Sequence, residues 1–201
     1  MIAKVFCEFI RRIKLVYVHL QEKAMAGQLS KIGKSSRVCY PFIVSHTELI
    51  EIGSGTTILE NARIQVYPER TEKKGHICIG NNTFIGYHLC ILAGADVVIG
   101  NDVTMASNIC IVSENHGIDP EAAVCYGKQS LQCAPVKIGN GCWIGEAVII
   151  LPGVEIGEKC IIGGGSVVTK SISPYTMAVG NPAKIIKKYN FETHRWENVW
   201  R

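Results

Sequence analysis

Residues 138–173 read IGNGCWIGEAVIILPGVEIGEKCIIGGGSVVTKSIS, and this stretch decides the fold. Ile138, Ile144, Ile150, Ile156, Ile162 and Val168 recur every six residues without a slip. A helix repeats at about 3.6 residues and a strand at about 2, so a period of six fits neither alone. Six residues make one short strand plus one tight turn, and three such units close a triangular coil. The repeat therefore predicts an all-β parallel β-helix built from hexapeptides. Gly139, Gly145, Gly157 and Gly163 follow the stacked aliphatic residue, where a turn needs positive φ or close backbone approach. A second inward column is expected at Cys142, Val148, Val154, Cys160, Ser166 and Ile172. No coil buries its own apolar face, so only the stack is stable.

The period extends upstream with interruptions. Ile52, Ile58 and Ile64 form one run, and Ile79, Ile85, Ile91 and Val97 another. Ile99, Met105 and Ile111 form a third, shifted by two residues from Val97, which predicts a bulge or a longer corner. Ile32 and Val38 open the pattern weakly, and residues 39–49 are poorly periodic. Residues 67–76 and 113–135 break the period and are expected as external loops. The second, carrying His116, Asp119, Pro120, Tyr126 and Gly127, is long enough to draw attention as a functional element.

The chain of 201 residues suffices for one continuous core, and its net charge of +4 is too small to argue for nucleic acid. Nine cysteines with no CxxC pair argue against a disulfide framework and a zinc ribbon. They read as free, buried thiols of a cytoplasmic protein. Near the start, Val5, Phe6, Phe9, Ile10, Ile13, Val16, Tyr17 and Leu20 follow helical spacing. Arg11, Arg12, Lys14 and Glu22 interrupt that run, against a secretory signal or a membrane span. Two readings stay open: a helix packed on the β-helix end, or an interfacial helix making peripheral contact with a membrane. Pro174 ends the hexads, and residues 184–189 can start a short helix after Pro182. Phe191, Trp196 and Trp200 are expected to anchor a tail folded back over the stack. The expected layout is an N-terminal helical segment (1–28), a β-helix (29–173) and a C-terminal helical capping tail (174–201).

Six motifs occur in order: Ser113-Glu114-Asn115-His116-Gly117, Pro135-Val136-Lys137-Ile138-Gly139, Cys142-Trp143-Ile144-Gly145, Ile150-Leu151-Pro152-Gly153-Val154, Gly164-Gly165-Ser166-Val167-Val168-Thr169-Lys170 and Gly180-Asn181-Pro182-Ala183-Lys184. Over about residues 30–188 the chain resembles the hexapeptide-repeat O-acetyltransferases that act on galactosides, maltose, xenobiotics and polysaccharides. That resemblance implies a left-handed coil and a homotrimer with active sites in the clefts between prisms. It also implies acetyl-coenzyme A as co-substrate and no metal. The family's catalytic histidine falls at His116. An imidazole, neutral near pH 7, can take the proton of a sugar hydroxyl as it attacks the thioester. Trp143 falls where the family has a tryptophan beside the thioester and acceptor. Thr169 and Lys170 match the segment near the adenine, and Lys184 and Lys187 match basic positions near the coenzyme phosphates. Gly145 and Gly164 would let the coenzyme approach the backbone.

One departure bears on the acceptor. Small-sugar acetyltransferases carry an asparagine one coil before the histidine, and here that place holds Tyr87 or His88. A histidine there, with Asn115-His116-Gly117, resembles the polysaccharide-modifying branch. His88, Tyr87, Asn115 and Asp119 are therefore expected near the acceptor, although Asp119 before Pro120 also reads as a turn former. The resemblance thus implies O-acetylation of a surface polysaccharide or its precursor. Transfer to a small sugar or xenobiotic, and N-acetylation of an amino sugar, remain alternatives, as does a non-catalytic scaffold. A γ-class carbonic anhydrase would need a zinc triad from His76, His88 and His116, and the spacing is poor.

Overall fold

The computed structural model describes residues 2–199 apart from Glu72 and Lys73, so the expected roles of Trp200 and Arg201 lie outside the described residues. The Val5 side chain also lies outside them. Each coil contributes one short strand to each of three parallel sheets. The first face runs from Lys31–Ile32 through Ile50–Ile52, Ile77–Ile79, Val97–Ile99 and Val136–Ile138 to Glu155–Ile156. The second contains Arg37–Val38, Thr57–Ile58, Phe84–Ile85, Thr104–Met105, Trp143–Ile144 and Ile161–Ile162, then Thr176–Val179. The third contains Phe42–Val44, Ala62–Val66, Cys90–Ala93, Cys110–Val112, Ile149–Ile150 and Val167–Val168.

Register places like on like. Ile85, Met105, Ile144 and Ile162 stack on the second face, and Ile64, Ile91, Ile111, Ile150 and Val168 on the third. All of them are buried. Burying one such side chain is worth about 1.5–3 kcal/mol, so the stabilisation is spread evenly along the prism. The second inward column is buried too, from Cys142 to Ile172. Corner polar groups form ladders between coils. Asn81 Oδ1 accepts from the Ser54 N–H at 2.7 Å, Asn101 Oδ1 from Asn81 at 2.7 Å, and Asn140 Oδ1 from Asn101 at 2.8 Å.

The two-residue phase shift is a longer corner. Val97 and Ile99 are both buried at the two ends of one strand. Early coils advance 20 residues, as from Val38 to Ile58 and from Ile85 to Met105, whereas Ile144 to Ile162 advances 18. The extra residues sit between the third and first faces. Residues 39–49, unreadable as a repeat, hold a real strand, Phe42–Val44, and a 3₁₀ turn, Thr47–Leu49.

Two expectations need correction. The C-terminal tail is not helical. Strand Lys184–Asn190 pairs antiparallel with Thr176–Val179, and Arg195–Asn198 pairs with it in turn. The last strand of the second face would otherwise expose unpaired N–H and C=O groups, and β-branched Ile185 and Ile186 suit an added strand. Aromatic packing does anchor the tail, with Phe191 edge-on to Tyr175 and Tyr189, and Trp196 edge-on to Tyr189. The cysteines are free but mostly not buried. Only Cys39, Cys142 and Cys160 are, while Cys7, Cys125 and Cys133 are exposed. The expected N-terminal helix is present as Ile2–Ala26, and it touches the prism through its C-terminal half, where Met25 is buried and Tyr17 meets Tyr40 edge-on. No described helix is long and apolar enough to cross a membrane.

Candidate active site

His116 is exposed and sits where the chain leaves the prism. The strand before it, Cys110–Val112, lies on the third face, and the chain then runs into an arm instead of turning onto the first face. The arm's root is a two-residue antiparallel ladder in which Glu114 faces Cys133 and Asn115 faces Gln132. Ser113, fully buried, fixes that root. Its hydroxyl donates to Ala95 O at 2.7 Å and accepts from the Ala95 N–H at 3.1 Å. Beyond His116, the Gln129 carboxamide pairs with the Asp119 backbone. Its oxygen accepts from the Asp119 N–H at 3.1 Å, and its nitrogen donates to Asp119 O at 2.8 Å. A Cβ on Gly117 would fall 2.6 Å from that carboxamide oxygen and 2.8 Å from the Gln129 Cβ, so a side chain there would displace Gln129. The Asp119 carboxylate accepts from the Glu121 N–H at 2.9 Å, the use of a turn former. The arm leaves Ile118, Val124 and Tyr126 exposed.

A second group of candidates lies elsewhere on the prism. Trp143 projects from the second face and is 56% exposed. Register places Ile161, Met177 and Lys187 in line with it, one strand apart each. The indole and the Lys187 strand position thus end a column spanning three strand spacings, roughly 14 Å. Lys184 lies on the same added strand and is exposed. Tyr87 and His88 are exposed at the corner between the second and third faces, with His88 at φ +58° and its N–H donating to Glu60 O at 3.1 Å. Gly145 and Gly164 belong to this same corner, one coil apart. A Cβ on Gly145 would come 2.6 Å from Gly164 N, so glycine there is demanded by coil stacking, with no need of a ligand to explain it.

Within one protomer the two groups do not meet. Asn115, His116 and Asp119 leave from the edge between the third and first faces, and Thr169 and Lys170 are exposed at the same edge further along. Tyr87, His88 and Trp143 stand on the other side of the third face, whose width is roughly 15 Å at about 3.3 Å per residue.

Sequence reasoning missed Ser113, Gln129 and Glu146. Glu146 holds the corner above Tyr87 and His88, accepting from the Ser107 N–H at 2.8 Å and from Asn108 Nδ2 at 2.6 Å. The signal for Ser113 was present, a small polar residue at the point where the hexads stop. Glu146 had none, since its partners lie 38 and 39 residues back, across the arm. Among the described residues, no three His, Cys, Asp or Glu side chains gather in a form that could hold a metal ion.

A family model described as bacterial transferase hexapeptide (six repeats) matches residues 135–170. A candidate lipopolysaccharide-biosynthesis O-acetyl transferase of Escherichia coli K12, WbbJ, is 34% identical over 80% of this chain and 82% of its own length. The galactoside O-acetyltransferase of the same organism is 32% identical over 85% of this chain and 81% of its own. A Saccharomyces cerevisiae relative named as a candidate acetyltransferase is 45% identical, with 56% of each chain matched, so little more than half of that relative is spanned. Among solved structures, a maltose O-acetyltransferase from Clostridium difficile 630 superposes with a TM-score of 0.55 and 30% identity, covering 82% of this chain and 72% of its own.

Proposed function

The chain belongs to the hexapeptide-repeat acetyltransferases, and on that premise we propose that it moves an acetyl group from acetyl-coenzyme A to a saccharide hydroxyl, with His116 as general base. The acceptor is a surface polysaccharide or its precursor. The working form is a homotrimer of left-handed prisms in the cytoplasm. One observation carries this reading: the candidate residues fall into two groups on opposite sides of the third face, so a cleft between two copies is what unites them. His116, Thr169 and Lys170 come from one copy. Trp143, His88 and Lys187 come from its neighbour. The exposed Ile118, Val124 and Tyr126 of the arm supply apolar surface for that contact.

The chemistry then follows from the side chains. His116 takes the hydroxyl proton as the sugar oxygen attacks the thioester carbonyl. The tetrahedral intermediate collapses, the C–S bond breaks, and the imidazolium returns its proton to the departing thiolate. Proton and electron pair balance without a covalent acyl-enzyme. Backbone N–H groups of the cleft stabilise the oxyanion. The Trp143 indole walls off water, and the apolar column from Trp143 to Lys187 gives the pantetheine arm a track that ends on a cation for phosphate.

The test is thiol release from acetyl-coenzyme A across free, nucleotide-linked, lipid-linked and polymeric saccharides, with product mapping. Wild type acetylates a hydroxyl of at least one of them. His116→Ala keeps coenzyme binding and loses about 10²–10⁴-fold in turnover, the usual worth of a general base. Near-normal turnover in that variant would remove His116 from the role.

A further inference from the structure

Helix Ile2–Ala26 is two-sided in an unusual way. At about 100° per residue, Val18, Gln21, Glu22 and Met25 share the edge that meets the prism. Met25 is buried, and Glu22 accepts from the Tyr40 N–H at 3.1 Å. Phe6, Phe9, Ile13, Val16 and Leu20 fall on a different arc, turned away from that edge, and each is at least half exposed. Ile10 widens the arc to roughly 120°, with Tyr17 near that border reaching back to Tyr40 of the prism, and this is well beyond the narrow seam of a helix pair. Arg12 and Lys23 border it on one side and Lys14 on the other. Of the two carboxylates on the helix, Glu22 is taken up by the Tyr40 N–H, and Glu8 is paired with Arg11 at 2.9 Å and Arg12 at 3.4 Å, in exposed ion pairs of small energetic weight.

The charge of the chain is concentrated at the same end. Residues 1–38 hold eight Lys and Arg against two Glu, a net of +6 in a chain of net +4, which leaves the remainder at −2. Lys31, Lys34 and Arg37 of the first coil are all exposed, and the strand carrying Arg37 touches the helix. A broad apolar arc bordered by cations, on a helix that cannot span a bilayer, matches a helix lying in an anionic membrane interface. Pairing with the same helix of another copy would set these like charges against one another.

We propose that this helix docks the protein, apolar arc down, on the surface of a bilayer containing anionic lipid. Phe6, Phe9, Ile13, Val16 and Leu20 enter the headgroup boundary, and the basic residues of 1–38 face the phosphates. The proposal goes beyond the acetyl transfer and stands apart from it.

The experiment is co-sedimentation of the full chain with vesicles of pure phosphatidylcholine and with vesicles containing one-third phosphatidylglycerol. Sedimentation velocity without lipid reports assembly in parallel. Wild type partitions onto the anionic vesicles and releases in high salt, where the Debye length shrinks to about 3 Å. The triple variant Phe9→Ser, Ile13→Ser, Leu20→Ser loses at least about tenfold in partitioning with unchanged oligomer mass, since interfacial binding scales with the apolar area inserted. Absence of wild-type binding to anionic vesicles overturns the proposal, as does equal binding to pure phosphatidylcholine. A triple variant of reduced oligomer mass and unchanged vesicle binding also overturns it, in favour of helices that cover one another.

Discussion

Crossing two inactive chains tests the shared cleft directly. His116→Ala removes the proposed base, and Trp143→Glu places a carboxylate where the thioester is proposed to lie. Both side chains are exposed, Trp143 at 56%, so neither change empties the core. The third face separates the two residues by roughly 15 Å in one protomer. A general base must stand within about 3 Å of its proton, so a site confined to one protomer cannot use both residues. When the two variants are co-expressed in equal amounts, three-quarters of random trimers are mixed. Every mixed ring has one junction at which an intact His116 faces an intact Trp143, so activity recovers to about one quarter of wild type in a closed cyclic trimer. The readout is thiol release with an acceptor that wild type acetylates, each variant being assayed alone for its residual rate. Activity no higher than the mean of the two single variants would refute the shared cleft, and with it the grouping of His116 against Trp143.

The fold and its thiols yield two further expectations. Gly145→Val drives a side chain into Gly164 N, which a Cβ would approach to 2.6 Å, and overpacking of this kind costs about 1–3 kcal/mol, seen as a lower urea midpoint. Cys90 and Cys110 face each other across adjacent strands of the third face. The hydrogen bond from Cys110 lowers the Cys90 thiol to about 7, against the opposing effect of burial and with help from Arg63. Iodoacetamide labelling of Cys90, followed by peptide mapping, therefore rises through about pH 7. Cys110→Ala moves that midpoint up. Because the folded state favours this thiolate, Cys90 contributes stability above its unfolded pKa and loses it as pH falls through about 7.

Much of the prism was legible because its physics is local. Ile138 to Val168 announce an inward column at a fixed spacing, and neighbouring coils see the same neighbour at the same place. Val44 was not legible, since the turn Thr47–Leu49 that follows it breaks the spacing before the next coil restores it. The tail was misread for a different reason. Residues 184–189 carry no strand alternation, and what makes them a strand is the open edge of Thr176–Val179, a partner invisible in the local pattern. The candidate site divides in the same way. His116, Trp143 and Lys187 could be picked out by motif, yet the face and edge each occupies depend on coil length. Glu146 reaches Ser107 only because the 39 residues between them close one coil and one arm in register.

Coil length also explains why the site is where it is. Every departure from regularity falls on one edge of the prism, between the third and first faces. Residues 67–76 leave there, the arm carrying His116 leaves there, and the corner Gly94-Ala95-Asp96 holds the two extra residues of its coil. The other two edges are tied from coil to coil, by the asparagine ladder on one and by Ser107, Asn108 and Glu146 on the other. A residue inserted at a tied edge breaks hydrogen bonds in the coils above and below it. At the third edge the coil-to-coil bonds sit at the roots of the excursions, with Ser113 bonded to Ala95 and Asp96 Oδ1 accepting from the His76 N–H, so an insertion beyond those roots leaves them intact, provided the chain returns to the first face in register. Ser113 and Ala134 secure that return, with the Ala134 N–H donating to Ser113 O at 3.0 Å. An external arm of any length can then be carried at a small cost in loop closure, which grows only slowly with length. This edge is thus the place where the fold can hold the proposed catalytic loop without weakening the stack, and His116 stands at the root of that loop.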